Sequence, residues 1–438
     1  MKKPISIILC LCFLALLGGC TVPGTNIGGL LTPPKLSGEI PAINSALEAY
    51  VGTDVLLKNP SSGEYRSAYV LYDTDGNYQN EAFVFYSKLS DDTTSNEIHM
   101  NFIIKDSDGW KTVNDVLLDG NTVDSVGFFD INNDGLKEIF VSLNTFGQSR
   151  KKLEIYMISD KDIKQCFKEN HSVYSVLDIN SDGEKEVLTL NLTAEEKTSV
   201  ASAYKISNQK YTCIGNCALD GNIISYSAPI ISKLKNGKPA VFVDAQKSAD
   251  MLITEIIYWD KGLKAPLYDS VSTENHITLR SSALACSDID NDGFCEIPFT
   301  ETANSNNYDA TKVYAVQWRA FDSAKFKTSA VTLQNYGVGY SVTIPNYFVE
   351  EGENKSIYFE NNANENTCIL YYSTSNKKNK GIEVLRIKCF GASVFKYSSE
   401  GYEKIIESDD IVYAVRINTD KITVEEIKQN FKLLNLEG

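Results

Sequence analysis

A mainly β protein, a β-propeller followed by a C-terminal α+β domain, is what the sequence predicts. Three observations predict it. An acidic turn between two apolar strands recurs at a near-constant spacing, and a second hairpin turn recurs in step with it. The composition, 24 Tyr and 19 Phe but 4 Met in 438 residues, favours strands over helices.

The acidic turn occurs four times, as Asp73, Asp75, Asn77 and Glu81; Asp130, Asn132, Asp134 and Glu138; Asp178, Asn180, Asp182 and Glu186; and Asp288, Asp290, Asp292 and Glu296. The first aspartates lie 57, 48 and 110 residues apart. The last interval is two periods, and a degenerate copy sits midway: residues 228–243 keep both strands around Asn236 and Gly237 but have lost the acids. The second turn recurs near Asp106, Ser159, Ser207, Asp260 and Asp322, each after an alternating strand. One unit is therefore four antiparallel strands in about 50–55 residues, the mark of a propeller blade. Five blades fit within 66–337, with six or seven as the alternative.

The turn chemistry points to a cation. Oxygens at loop positions one, three, five and nine converge when the chain curls, and Ca²⁺ takes six to eight hard oxygen ligands. Glycine at position six (Gly135, Gly183, Gly293) permits the reversal. In the first loop glycine sits at position four (Gly76) and Tyr78 takes position six, which makes that site the weakest on paper. Position twelve is never Glu and the flanks read as strands, so these are not EF-hands. Up to four structural calcium sites are expected, with none at Asn236. Asp, Asn and Gly also favour turns without any metal.

On these residues the segments resemble FG-GAP/VCBS repeats, the propeller blades of integrin α-chains and many bacterial surface proteins. They match the Asp-x-Asp-x-Asp-Gly-x-x-Asp motif with Glu as the last acid, over roughly three-fifths of the chain. The resemblance implies calcium in the acidic loops.

Residues 338–438 change pattern. Alternating runs follow one another from Tyr340, Ser356, Cys368, Ile382 and Asp410, and residues 423–434 carry a helical apolar face with a capping box at Thr423 and Glu426. This α+β region is faintly similar to PsbP-like domains. Ahead of the repeats, 37–65 reads as a helical lead-in, with Ile43, Leu47 and Tyr50 on one side of a helix over 41–51.

The N-terminus reads as an export signal. Lys2 and Lys3 precede an apolar run over 7–17, too short to span a bilayer comfortably. It ends in Leu17, Gly18, Gly19 and Cys20, which resembles the lipobox of bacterial lipoproteins. The expectation is cleavage after residue 19, lipidation of Cys20, a flexible tether over 20–36 and a lipid anchor on the outer face of a membrane. Losing the leader removes two lysines and no acid, which takes the formal charge from −15 to −17. That balance argues against nucleic acid as a partner.

Seven cysteines remain beyond Cys20, an odd number. Cys286 with Cys295, and Cys368 with Cys389, are the candidate disulfides; buried free thiols are the alternative. No catalytic constellation is visible. His99, His171 and His276 lie in no metal spacing, and the paired carboxylates are absorbed by the cation spacing. The expected function is therefore non-enzymatic binding to a glycan, protein or envelope partner, with the alternative of an enzyme or accessory subunit acting on extracellular polymers.

Overall fold

The computed structural model describes residues 38–89, 97–147, 150–159, 162–207, 209–268, 276–300, 313–348, 356–373 and 381–434. The expected signal, tether and Cys20 lie outside them. Among the described residues no helix is long and apolar enough to cross a membrane.

The chain is mainly β. Its repeats fold into antiparallel sheets in sequence order. The first contains Tyr69–Tyr72, Glu81–Lys88, Ile98–Asp106 and Gly109–Leu118, with Val55–Leu57 added beside Glu81–Lys88. The second is Thr122–Phe129, Glu138–Asn144, Lys151–Ser159 and Asp162–His171; the third is Val173–Leu177, Glu186–Thr193, Thr198–Ser207 and Lys210–Leu219. The fourth is built on Pro239–Gln246 and Met251–Trp259, and the fifth on Ile297–Thr300, Val313–Phe321 and Phe326–Asn335.

Burial explains the apolar runs. The second strand of each of the first four units is buried at nearly every position, as in Glu138–Asn144 and Pro239–Gln246, because both faces of the sheet are covered. The fourth strand of the third sheet, Lys210–Leu219, is largely exposed and marks the outer edge. Each neighbouring pair of sheets shares an apolar layer. Phe83, Phe85 and Met100 meet Val126, Ile139 and Val141 between the first and second. Phe140 and Ile155 meet Val176 and Val187 between the next two. Leu188 and Ala203 meet Val241 and Ile257, and Phe242 and Ile256 meet Ile297 and Phe321. Aromatic rings bridge the seams, with Tyr72 stacked on Phe128 at 4.1 Å. In the first, second and third sheets the hairpin between third and fourth strands carries a bulge, as at Ile155/Tyr156, and in the fifth sheet the hairpin between Val313–Phe321 and Phe326–Asn335 does, which sharpens the local twist.

The series has two covered ends. Helix α1 (Ile40–Val51), with Pro41 in its first turn, lays Ile43 and Leu47 on Tyr69, Ala82, Val84, Tyr86 and Ile103, the face of the first sheet turned away from the second. Tyr50, expected on that side, is 58% exposed. At the far end, Val331, Leu333, Tyr340 and Val342 of the fifth sheet form a core with a five-stranded C-terminal sheet. Among the described residues the repeat sheets pack face to face in sequence order, and no closed sheet fixes whether the blades number five, six or seven.

The boundary expected at 337/338 falls inside the fifth sheet. Tyr340–Thr343 pairs with Phe326–Asn335, and Phe431–Leu433 returns from the C-terminus to pair with Tyr340–Thr343. The tail expected to be helical to 434 is therefore short. Helix α2 covers Ala392–Ser398, and α3, Val424–Gln429, keeps the Thr423/Glu426 capping box before Phe431 turns into the strand. Phe431 stacks on Tyr340 at 5.2 Å, so a buried contact outweighs the helical period.

Leu47→Ala tests the cap at the first end. Leu47 is fully buried, and truncating such a residue costs about 2–5 kcal/mol. Denaturant unfolding should register that loss, whereas Tyr50→Ala should leave the midpoint nearly unchanged.

Candidate cation loops and a neighbouring cleft

The four acidic turns connect the first and second strands of their units, and their backbones are nearly superposable in hydrogen bonding. The carboxylate at position one accepts the N–H of position six in all four: Tyr78 to Asp73 at 2.9 Å, Gly135 to Asp130 at 3.2 Å, Gly183 to Asp178 at 2.9 Å and Gly293 to Asp288 at 2.9 Å. Position three accepts from position five, and position five from position seven, throughout. Asp and Asn here replace the backbone acceptors that a tight curl lacks.

Positions four and six are left-handed in every loop. Asn133, Ser181 and Asn291 pair with Gly135, Gly183 and Gly293, while the first loop reverses the order with Gly76 and Tyr78 at φ 72° and 66°. Tyr78 carries its side chain out into solvent, 98% exposed, so its strain is the only cost. The first loop therefore takes the same shape as the others, contrary to what the misplaced glycine suggests.

Position nine is the anchor. Glu81, Glu138 and Glu186 open the second strand, Glu296 bridges to Ser287 directly before Ile297–Thr300, and all four are buried. Their Oε2 atoms accept the N–H of position two, from Thr74, Ile131, Ile179 and Ile289, at 2.8, 2.9, 3.1 and 3.2 Å. Burial pushes the Glu138, Glu186 and Glu296 carboxyls up to about 7, offset in part by those N–H bonds, with the neighbouring aspartates adding to the rise. Glu81 is raised for the same reason. Buried Oδ1 of Asp130 and Oε1 of Glu296 have no hydrogen-bond partner, the Ser329 side chain lying near the latter without closing a bond. Such atoms in a native interior call for an unseen partner.

Two loops bring three carboxylates together. Oxygens of Asp73, Asp75 and Glu81 lie within 4.8 Å of one another, as do those of Asp288, Asp290 and Glu296. Both could hold a metal ion. In the second and third loops an asparagine replaces the second acid, and the Asn132 and Asn180 amides donate to Asp134 and Asp182. Asn77, Asp292, Asn132, Asp134, Asn180 and Asp182 thus serve the loop backbone first, with oxygens to spare for an ion.

Amines have settled beside two of the loops, a feature not legible in the acidic spacing. Lys205 pairs with Asp182 and Glu184 at 3.0 and 2.9 Å, and Lys235 of the degenerate turn pairs with Asp292. Asp182 is held below the usual carboxylate range chiefly by the Glu184 N–H and Lys205. The degenerate turn has become a link: Asn236 donates to the Asp322 carbonyl at 2.9 Å and closes no acidic cage.

Cys166, Cys213, Cys217, Cys286, Cys295, Cys368 and Cys389 are free thiols, so neither candidate disulfide is formed in this structure. Both Cys286 and Cys295 are buried in one apolar layer, and the Cys295 thiol donates to the Glu296 carbonyl at 3.9 Å at the base of the last acidic loop. His171 and His276 are buried, burial lowers both to about 4, and each has one ring nitrogen hydrogen-bonded, His171 with Ser142 and His276 with Thr278, and the other buried without a partner.

Beside the first loop a cleft of about 330 Å³ opens between the first and second sheets. Thr74, Asp75, Asn77 and Asn80 of the first loop, Phe102 and Ile104 of the first sheet, and Ile158 and Ser159 of the second sheet line it.

No family model and no curated protein matches this chain. Solved structures do match. The rhamnogalacturonan lyase YesW is 10% identical, with 66% of this chain and 75% of that one covered at a TM-score of 0.31. Bacillus licheniformis rhamnogalacturonan lyase PL11 is 9% identical, covering 75% and 76% at 0.31. Penicillium chrysogenum α-L-arabinanase complexed with arabinobiose is 10% identical, covering 85% and 98% at 0.25. These neighbours act on polysaccharides, against the expectation of a non-enzymatic binding protein, which is corrected to its alternative. At such TM-scores no residue role is transferred from them.

Two measurements test the loops. Chelated protein should lose stability as pH rises from about 4.5 through 7, because glutamates with folded pKa values near 7 bind protons more tightly folded than unfolded. A melting temperature that instead climbs over that interval contradicts the assigned burial. In calorimetric titration, Asp75→Ala and Asp290→Ala should each abolish one cation site, while Asn132→Ala should change little. Equal losses from all three would mean that the converging carboxylates do not define the sites.

Proposed function

We propose that the protein is a lipid-anchored, extracytoplasmic enzyme or accessory subunit that acts on extracellular polysaccharide, built on FG-GAP/VCBS-like propeller repeats braced by calcium. The observation that carries the calcium part is the identity of the hydrogen-bond set in four loops far apart in sequence, two of which converge three carboxylates. Hard carboxylate and carbonyl oxygens suit Ca²⁺. Asp73, Asp75, Asn77 and Glu81, and Asp288, Asp290, Asp292 and Glu296, would hold it; the asparagine-bearing loops would bind more weakly. Calcium there relieves carboxylate repulsion and fixes the strand pair, a structural task. Extracellular modules of this type bind with Kd of about 10⁻⁴–10⁻³ M. Occupancy at ten times Kd stabilises by about 1.4 kcal/mol per site.

The polymer part is supported by the leader and tether legible in the sequence, which suit an exported protein, and by a cleft of mixed polar and apolar lining beside one cation loop.

Purified protein lacking residues 1–20 should be incubated with the neutral polymers arabinan and galactan in millimolar calcium, alone and beside a degrading enzyme. Release of new chain ends, or faster release by the added enzyme, is expected, with a chelator reducing it. No turnover, no enhancement and no retention on either polymer would sink this reading. In cells, Cys20→Ala should move the protein out of the membrane fraction or block its processing.

A further inference from the structure

We propose that the cleft between the first and second sheets is the subsite for a neutral saccharide; the proposal rests on the polymer-acting reading above and gives it a location. At about 330 Å³ the cleft lies at the small end of the range for ligand pockets, room for one or two sugar rings.

Its chemistry is divided in the way a sugar is divided. Phe102, Ile104 and Ile158 give apolar surface for the C–H face of a ring. Asn77, Asn80 and Asp75 contribute the polar part of the lining. Side-chain amides both donate and accept, and a carboxylate accepts from two hydroxyls, so this rim can satisfy a ligand rich in hydroxyl groups. Asn80 sits at loop position eight and takes no part in the loop's hydrogen bonds described above.

Charge selects within that class. Asp75 and Glu81 both line the cleft, and among the described residues that line it the one amine, Lys105, is already paired with Glu39 at 2.5 Å and placed over the Trp110 ring. With Ca²⁺ in the first loop, the three carboxylates of Asp73, Asp75 and Glu81 still outweigh the charge of the ion by one, so a polyanion meets a net negative wall. A purely apolar ligand would leave the amide rim without partners, a costly outcome on burial. A neutral sugar incurs neither penalty. Asp75 and Asn77 belong to the first cation loop as well as to the cleft wall, so loading that loop fixes the wall against which the sugar lies.

The test is calorimetric binding of arabinotriose and galactotriose to the protein in millimolar calcium, for wild type, Asn80→Trp and Ser159→Trp. Each tryptophan fills the cleft from one wall, so the second covers the case in which the first fails to fold. Saturable binding by wild type, weakened about tenfold or more in the folded variants, is the expected result, with the calcium-induced rise in melting temperature unchanged. Variants that bind as wild type does would overturn the cleft as the site while leaving the polymer reading standing. If wild type neither binds these sugars nor acts on polymers, both fall together. Binding that favours digalacturonate over the neutral sugars would overturn the charge argument.

Discussion

The structure hangs on a buried glutamate repeated at or directly before the start of four strands. Glu81, Glu138, Glu186 and Glu296 take a carboxyl out of water at a point where the chain has just curled through a turn. That burial is unfavourable unless the group is hydrogen-bonded. Each glutamate receives the N–H of loop position two, and in doing so ties the incoming strand to the outgoing one. With the turn fixed, the following strand runs straight into the interior, where both its faces can be covered by neighbouring sheets. The apolar layers between sheets depend on that alignment.

The repeat and its strands were legible because they obey local rules. Acidic turn residues, glycine or asparagine at left-handed positions, and continuous apolar runs all report on one unit at a time. What lay beyond the sequence depends on contacts between units. Tyr78 in a left-handed conformation looks unfavourable until its side chain is seen to be free in solvent. The return of Phe431 to a strand beside Tyr340 competes with a helical period that favours the opposite outcome. Lys235 beside Asp292, fifty-seven residues apart, carries no periodic signal.

The site was half legible. Spacing identified every carboxylate of the loops, but four equivalent loops became two with converging acids, because asparagine at position three spends its amide on the acid at position five. The cleft could not be foreseen, since its lining comes partly from the first sheet and partly from the second. Apolar residues such as Ile158 are indistinguishable from core in a linear reading. The absence of a catalytic motif in sequence was likewise weak ground for excluding chemistry, and the first functional expectation leaned on it too heavily.

The loops are also joined to one another. Lys137 of the second loop donates its backbone N–H to Thr74 of the first at 2.8 Å, and Lys185 of the third donates to Ile131 of the second at 3.2 Å. Both donors sit at position eight and both acceptors at position two, so the first loop serves as a ruler for the second and the second for the third. Length variation is therefore constrained unequally along the repeat. A residue inserted at the far hairpin would bulge harmlessly into solvent, whereas one inserted in an acidic loop would break step with the units before and after it. Divergence by insertion should accumulate on one rim of the molecule and be purged from the other.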